Sequence, residues 1–178
     1  MAEKKTLGRP KSELGRDLRS ELLAASRRLL DEGGPAALSM REVARRTGCT
    51  HQAPYHYFEE RESILAALVC DGFNELAKAL KSANKIATES AVRPAVIASA
   101  KAYVGFALSN PGAFRIMFRS DMCNPSKFPE VIEAGSRAQL ELERLNTIIH
   151  GEKAKRVHST ILWSHVHGLS CLLVCLLY

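Results

Sequence analysis

Apolar residues recur along the chain at helical spacing, in long segments separated by glycine and proline. In the first segment the residues that share one helical face are Leu18, Leu22, Leu23, Ala25, Ser26, Leu29 and Leu30. The segment ends at Gly33-Gly34-Pro35, because glycine readily adopts the left-handed conformation and proline prevents the helix from continuing. No stretch alternates β-branched and polar residues as a half-buried strand does. The pattern therefore predicts an all-α fold.

The same periodicity predicts further helices and three regions. The predicted helical segments are residues 40–47, 51–58, 61–85, 92–109, 112–119, 129–149 and 153–178. The buried stripe predicted for segment 61–85 consists of Ile64, Leu65, Leu68, Phe73, Leu76 and Leu80. We expect a flexible basic arm over residues 1–15, a small helical domain over 16–60 and a larger helical domain over 61–178.

Composition and charge narrow the class of protein. The 178 residues are 46% hydrophobic and 25% charged, which is typical of a globular protein. The net charge is +6, and most of the excess lies in residues 1–58, where 11 basic residues face 7 acidic ones. Such an excess suits an anionic partner. The five cysteines form no CxxC pair and no secretion signal precedes them, which favours the cytoplasm. The longest apolar run, residues 169–178, is far shorter than the roughly 20 residues of a membrane span, so no membrane insertion is predicted.

Residues 39–58 have the pattern of a helix-turn-helix. Ser39 and Glu42 form a capping box, because the Ser39 hydroxyl can accept from the N–H of Glu42 while the Glu42 carboxylate reaches back. Ala44 is small where the two helices approach, and Gly48 stands where the turn requires a positive φ. Apolar positions between the helices are assigned to Val43, Cys49, Pro54 and Tyr57.

The second helix of this pattern, capped by Thr50, would present hydrogen-bonding side chains at the end that enters a major groove. These side chains are Thr50, His51, Gln52 and Tyr55. An ordinary αα-corner also has Ala and Gly at this spacing, so the spacing alone leaves both interpretations open. The basic arm and the string YHYFEERESIL at 55–65 favour DNA binding.

That string, with SMREVARRTGCT at 39–50, resembles the DNA-binding domain of the TetR family of transcriptional regulators. The family pattern is approximately TxRxIAxxAGVS, followed by YxHF or YxYF and then KExL, and the resemblance covers about residues 16–66. The sequence departs from it at Cys49, Pro54, Glu60 and Arg61. The resemblance implies phosphate contacts from Ser39, Arg41, Tyr55 and Arg61, and contacts to bases or the adjoining sugar-phosphate from Thr50, His51 and Gln52. His56 is either a phosphate donor or a helix-surface residue.

The N-terminal arm contains Gly8-Arg9-Pro10-Lys11, which resembles the core of an AT-hook. In such a segment an extended backbone lays arginine along a narrow minor groove. Arg9 and Lys11 are therefore candidate DNA contacts. The alternative is a disordered solubilising tail.

The C-terminal half contains no catalytic motif, so the protein is predicted not to be an enzyme. Its larger side chains either form a helical core or line an apolar effector pocket, and composition alone does not separate the two. The candidate pocket residues are Tyr103, Phe106, Phe114, Met117, Phe118, Trp163 and His167. The strings NPGAFRIMF at 110–118 and WSHVHGL at 163–169 resemble the ligand-binding domain of TetR regulators that has a Trp-His-Gly signature. The resemblance implies effector binding, and dimers formed through a four-helix bundle of the last two helices.

Neither the histidines nor the cysteines of the last helix indicate a cofactor. His165 and His167 point about 200° apart on a helix and cannot chelate one metal ion, so no metal and no cofactor are predicted. Cys171 and Cys175 share a helix face but have leucine and valine neighbours, which favours buried structural thiols over a redox switch. The apolar last helix must be covered. The chain stops inside it, which leaves open whether the natural protein continues past Tyr178.

Together these observations predict a cytoplasmic, homodimeric transcriptional regulator, and they favour a repressor over an activator. Its partners would be a pseudo-palindromic DNA operator and a small apolar or amphipathic effector, and effector binding would shift the dimer off DNA. The sequence leaves two alternatives open, a redox-responsive regulator and a DNA-binding module without a ligand.

Overall fold

The computed structural model describes residues 17–85 and 92–177, and this part of the chain is helical and contains no strand. The α-helices are α1 (Leu18–Ala37), α2 (Met40–Thr47), α3 (Arg61–Asn84), α4 (Val92–Ser109), α5 (Pro111–Met117), α6 (Pro129–His150) and α7 (Arg156–Leu177). Two short 3₁₀ segments, Ala53–His56 and Gly151–Lys153, precede α3 and α7. The predicted all-α fold is confirmed. The predicted arm and Tyr178 lie outside the described residues.

The first helix contains a break where the sequence predicts its end. At its start, the Asp17 side chain accepts from the N–H of Ser20 at 3.1 Å. Gly34 has φ 64° and ψ −167°, a backbone conformation that residues with a side chain rarely adopt. One further turn begins at Pro35, whose carbonyl accepts from the N–H of Leu38 at 3.3 Å. The glycine and proline therefore bend the chain toward α2, one turn before the helix ends.

The helix α3 runs through both parts of the molecule and packs against α1, α4, α5 and α6. Its side chains Ile64, Leu65 and Leu76 are at most 2% exposed, as the predicted stripe requires. Phe73, predicted on the same stripe, is only half-buried. The difference arises because Phe73 borders a cavity between the helices.

The short helix α5 is attached directly to α1. A Cβ at Gly112 would lie 2.6 Å from the carbonyl carbon of Leu30, so only glycine permits this close approach. The N–H of Gly112 donates to Oδ1 of Asp31 at 2.9 Å, and Nη1 of Arg27 donates to Oδ1 of Asn110 at 3.2 Å. These bonds hold the start of α5 against the end of α1.

The last helix, α7, is more apolar than the run at 169–178 suggested. By length and composition alone it could cross a membrane, with a mean hydropathy of 1.4 and 17% of that stretch buried. It packs against α4 and α6 and leaves a stripe of exposed side chains, made of Val157, Ile161, Leu169, Leu172 and Leu176. An exposed apolar stripe of this size is also typical of a protein interface.

Candidate nucleic-acid interface and ligand cavity

Hydrogen bonds at both ends hold α2 in place. The Ser39 hydroxyl accepts from the N–H of Glu42 at 3.2 Å, as the capping box predicts. At the other end Gly48 is left-handed, with φ 65° and ψ 25°, and its N–H donates to the carbonyl of Arg45 at 3.3 Å. Val43 and Ala44 are buried on the face of α2 that packs against the rest of the protein. The predicted first helix and its turn are therefore present.

The carboxylate of Glu42 differs from the predicted capping box. It accepts from Nη2 of Arg45 at 2.7 Å and from Nε of Arg46 at 3.1 Å, and Arg46 also donates to Glu32 of α1 at 2.7 Å. The hydrogen bonds from Arg45 and then Arg46 lower the pKa of Glu42 to about 2. A guanidinium is a stronger partner for a carboxylate than a neutral N–H. The network ties α2 to α1.

The expected recognition helix is shorter and tighter than predicted. Only Ala53–His56 are helical, as a 3₁₀ segment, in place of an α-helix over 51–58. The carbonyl of Thr50 accepts from the N–H of Ala53 at 3.0 Å, three residues on. Pro54 has no N–H, so the α-helical bond from residue 54 to Thr50 cannot form. The segment also has no side-chain cap, so the capping role predicted for Thr50 is wrong.

The side chains predicted to meet DNA are exposed around this segment, with the exception of Arg61. They are Thr50, His51, Gln52, Tyr55 and His56, with Ser39 and Arg41 at the start of α2. The predicted interior position of Tyr57 is wrong, because Tyr57 is 46% exposed while Phe58 is 4% exposed. The 3₁₀ segment ends at His56, and the N–H of Phe58 donates to the carbonyl of Pro54 at 2.9 Å. This bond spans four residues, so Phe58 lies on the same side of the chain as the buried Pro54.

Arg61, for which the sequence predicts a phosphate contact, makes hydrogen bonds to the backbone of the protein itself. Its Nε donates to the carbonyl of Leu38 at 2.8 Å, and its Nη2 donates to the carbonyl of Pro35. The Pro35 carbonyl belongs to the last turn of α1, and the Leu38 carbonyl belongs to the connection between α1 and α2. The half-buried guanidinium therefore fastens this connection to the start of α3. The other predicted contacts, Arg9 and Lys11, lie outside the described residues.

A cavity of about 760 Å³ lies between α3, α4, α6 and α7. Its volume is within the usual range of pockets for small organic molecules. The apolar wall includes Phe73, Leu76, Leu80, Val96, Leu142, Leu145, Val166 and Leu169. Four helices contribute, so no single stretch of sequence contains the site.

The predicted pocket residues divide between the wall and the core. Tyr103, Phe118 and Trp163 line the cavity. The prediction is wrong for Phe106, Phe114 and Met117, which belong to the hydrophobic core and are 7%, 4% and 6% exposed. They lie on the sides of α4 and α5 that face the protein interior. Sequence spacing did not reveal which side faces the cavity.

His167 lies next to the wall and is joined to it by hydrogen bonds. The indole N–H of Trp163 donates to the Tyr103 hydroxyl oxygen at 3.1 Å. The Tyr103 oxygen is also 2.9 Å from Nδ1 of His167. Burial lowers the pKa of His167, and the neutral ring can accept the Tyr103 hydrogen at Nδ1. Burial likewise raises the pKa of Tyr103, so its hydroxyl stays protonated. These polar groups therefore satisfy one another.

A second polar group in the wall was missed by the sequence argument. Asn84, which is 2% exposed, donates through Nδ2 to the backbone carbonyl of Glu141 at 2.9 Å and to its Oε2 at 3.1 Å. The Ser99 hydroxyl donates to Oδ1 of Asn84. One signal was available, because Asn84 follows Leu76 and Leu80 at helical spacing on the apolar face of α3.

Metal-ligating side chains and thiols are the remaining candidates for chemistry in the described part of the chain. Among the described residues no group of three or more His, Cys, Asp or Glu is placed to hold a metal ion. Burial raises the pKa of Cys70 to about 11 and also raises the pKa of Cys123 and of Cys171. These three thiols are therefore poor nucleophiles at neutral pH. The prediction of a buried thiol is wrong for Cys175, which is exposed near the end of α7.

Two family models match the chain in succession. The model described as "Bacterial regulatory proteins, tetR family" matches residues 22–68, which contain α2, the turn and the 3₁₀ segment. The model described as "Tetracyclin repressor-like, C-terminal domain" matches residues 96–174, which contain most of the cavity wall. The chain belongs to the TetR family. The Trp-His-Gly subtype stays a prediction.

Individual relatives agree with this assignment. The chain is 30% identical to the HTH-type transcriptional regulator Rv1816 of Mycobacterium tuberculosis over 103 residues, which are 58% of this chain and 44% of that one. The match thus spans less than half the length of this curated relative. A solved structure from Rhodococcus sp. RHA1, described as a protein with unknown function, has a TM-score of 0.77, 30% identity, and coverage of 91% of this chain and 85% of that one. The TetR family regulator PfmR of Thermus thermophilus shares the fold, with a TM-score of 0.67, 19% identity and 84% coverage of both chains.

Proposed function

We propose that this TetR-family protein is a sequence-specific DNA-binding transcriptional repressor that leaves its operator when a small apolar or amphipathic molecule fills the cavity. The observation that carries the proposal is that one helix, α3, joins a helix-turn-helix at Arg61 to a cavity wall at Phe73 and Asn84. We assign residues 16–60 to DNA binding and residues 61–178 to effector binding and dimerisation. The basic arm over 1–15 adds positive charge beside the first domain.

The exposed groups around the 3₁₀ segment would form the contact with DNA. Ser39, Arg41 and Tyr55 would meet phosphates, which positions the domain without reading sequence. Thr50, His51 and Gln52 would face base edges or the adjoining backbone, with Gln52 suited to a bidentate contact to adenine. His56 is exposed beside them and is assigned to the backbone. For Arg61 we propose a positioning role in place of a phosphate contact.

Two connections would transmit effector binding to the DNA-binding domain. The helix α3 lines the cavity and begins at Arg61, which donates to the Leu38 carbonyl between α1 and α2. The helix α5 is followed by Phe118 in the cavity wall and begins at the Gly112 bond to α1. A ligand that displaces Phe118 or Phe73 would shift α1 relative to α3, which changes the separation of the two recognition segments in a dimer.

We assign the dimer interface to α6 and α7. The exposed apolar residues of α7 are accompanied on α6 by Ile132 and Leu140, which are 55% and 62% exposed. A second copy would cover these stripes and form the four-helix bundle that the family resemblance implies. The same cover would account for the apolar character of α7 without a membrane, which supports the proposal that the regulator acts with its operator in the cytoplasm.

The two alternative functions have less support. A redox-responsive regulator needs an exposed thiol of low pKa, and burial raises the pKa of Cys70, Cys123 and Cys171. Cys175 is exposed but has the apolar neighbours Val174 and Leu176 and no basic residue beside it in the sequence. A module without a ligand does not explain why four helices enclose about 760 Å³ of apolar space. An enzyme would need reacting groups in that space, and the wall is predominantly apolar.

The proposal is tested by selecting bound duplexes from a random DNA pool with the full chain. We expect a pseudo-palindromic motif to be enriched. Gln52→Ala should then lose about 1–3 kcal/mol of discrimination at one base pair of each half-site. Arg41→Ala serves as the contrast, since it should weaken binding to selected and random DNA alike.

Two outcomes would contradict the proposal at different levels. A pool without enrichment would exclude sequence-specific binding altogether. Equal losses on selected and random DNA for Gln52→Ala would remove Gln52 from base recognition and leave the rest of the interface in place.

A further inference from the structure

Among the described residues, the lining of the cavity contains a carboxylate but no guanidinium or ammonium group. Among the residues that line it, all of them in the described part of the chain, none is Lys or Arg, and Glu141 carries the one carboxylate. Nδ1 of His165 is 2.7 Å from the carbonyl of Ile161, and the Tyr103 hydroxyl oxygen accepts from Trp163. An anionic ligand would therefore find no lysine or arginine in the wall as the structure describes it.

The carboxylate of Glu141 is held in a defined position. Its side chain is 15% exposed. The buried Asn84 donates to both its backbone carbonyl and its Oε2, and Ser99 donates in turn to Asn84. The ion pair with Arg144 is long, at 3.9 Å, and the Arg144 side chain is 54% exposed, so solvent screens it. Glu141 thus retains the capacity to bind a closer hydrogen-bond donor.

The polar group lies toward one end of an elongated apolar wall. Along α3 the wall runs from Phe73 to Asn84, which is about 16 Å at the helical rise per residue. The Phe73 end is aromatic, with Phe118 and Phe73 in edge contact at 5.5 Å between ring centroids. The Asn84 end holds Ser99 and Glu141. A ligand that satisfies both ends has an apolar body and a polar head.

We infer that the effector is an amphipathic amine, whose apolar body lies against Phe73 and Phe118 and whose cationic head donates hydrogen bonds to Glu141. This inference rests on the proposed effector function of the cavity. A mostly buried carboxylate gains most from a charged donor, because water can no longer solvate it fully. A carboxylate or phosphate head would instead bring a second negative charge into the cavity. Glu141 is the residue that determines this specificity.

Three probes with the same hydrocarbon chain test the inference: decylamine, decanol and decanoate. Trp163 is the only tryptophan of the sequence and lines the cavity, so its fluorescence reports binding, with calorimetry as a second measurement. We expect decylamine to bind the full chain at least about tenfold more tightly than decanoate, as a charge-assisted hydrogen bond would provide. Glu141→Gln keeps an acceptor for Asn84 but removes the charge, and should abolish this preference with decanol affinity unchanged.

The matched control is Glu133→Gln, which removes the same charge from an exposed position of α6. It should retain the preference for decylamine. Equal affinities for the three probes, or tightest binding of decanoate, would overturn the assignment of Glu141 and leave the cavity as an effector site. If no probe binds, the cavity fails as an effector site, and the inference fails with it. Should Glu141→Gln not fold, the ranking of the probes on the unchanged protein decides.

Discussion

The two regions of the molecule differ in how completely their interiors are filled. Around α1, α2 and the start of α3, the side chains of Leu22, Leu30, Val43 and Ile64 are 0% exposed. Around the cavity, Phe73 and Phe118 are only partly covered, and Trp163 is 37% exposed. A close-packed interior holds its surface groups at fixed positions. The DNA-facing region is therefore preorganised, whereas the cavity region retains space in which side chains can adapt to a ligand.

The largest expected effect of this difference is on stability, and it is tested at two phenylalanines near α5. Phe114 is 4% exposed and belongs to the core, so Phe114→Ala should lower the free energy of unfolding by about 3–5 kcal/mol. Phe118 borders existing space, so Phe118→Ala should lower it by clearly less. Urea unfolding at one protein concentration measures both values, since a dimer makes stability concentration-dependent. Equal losses would place Phe118 in the core and remove the contrast between the regions.

A smaller effect distinguishes the two arginines of the DNA-binding region. Arg61→Ala removes two hydrogen bonds to backbone carbonyls and should lower the free energy of unfolding by about 2 kcal/mol. Arg41→Ala, at an exposed position, should change it by less than about 0.5 kcal/mol but weaken DNA binding. Thermal unfolding and a DNA titration of each variant measure the two properties separately. If Arg61→Ala unfolds like the unchanged protein yet loses DNA affinity, the sequence-based phosphate assignment was right.

The smallest expected effect concerns the pH dependence of the cavity region. Burial lowers the pKa of His167 below its ordinary 6.5 in the folded protein. As the pH falls below about 6.5, the unfolded chain therefore binds the proton first, and stability decreases. His167→Asn should show a smaller decrease between neutral and mildly acidic pH. His165→Asn, exposed on the same helix, is the control and should retain the full decrease. Parallel curves for the two variants would contradict the assignment.

The sequence pattern predicted correctly those parts of the helix-turn-helix that depend on residues close together in the chain. The Ser39 cap, the Gly48 turn and the burial of Val43 each depend on residues within a few positions of one another. The prediction failed where two local preferences compete. Pro54 lies in a segment of helical pattern but has no N–H, and the segment forms only a 3₁₀ turn that ends at His56. Tyr57, which follows that turn, is exposed, and Phe58 is buried in its place.

The cavity could be predicted only in part. The sequence identified the aromatic residues Tyr103, Phe118 and Trp163, which line it, but not Asn84 and Glu141, which bring the polar group. Asn84 and Glu141 are separated by 57 positions along the chain. Their contact depends on how α3 and α6 cross, and hydropathy periodicity carries no information on that crossing.

Local sequence was enough to predict the all-α fold and the order of the helices, because helix periodicity, caps and turn glycines act over a few residues. The family was predicted from the resemblance of the strings at 39–50 and 55–65. Which aromatic residues enclose space and which fill it depends on packing, since Phe114 and Phe118 have the same side chain and are one helical turn apart. Packing also sets the role of Arg61, whose partners Pro35 and Leu38 lie 26 and 23 positions away. Contacts of this kind form between helices, and the free energy of one contact depends on every neighbour that shapes it.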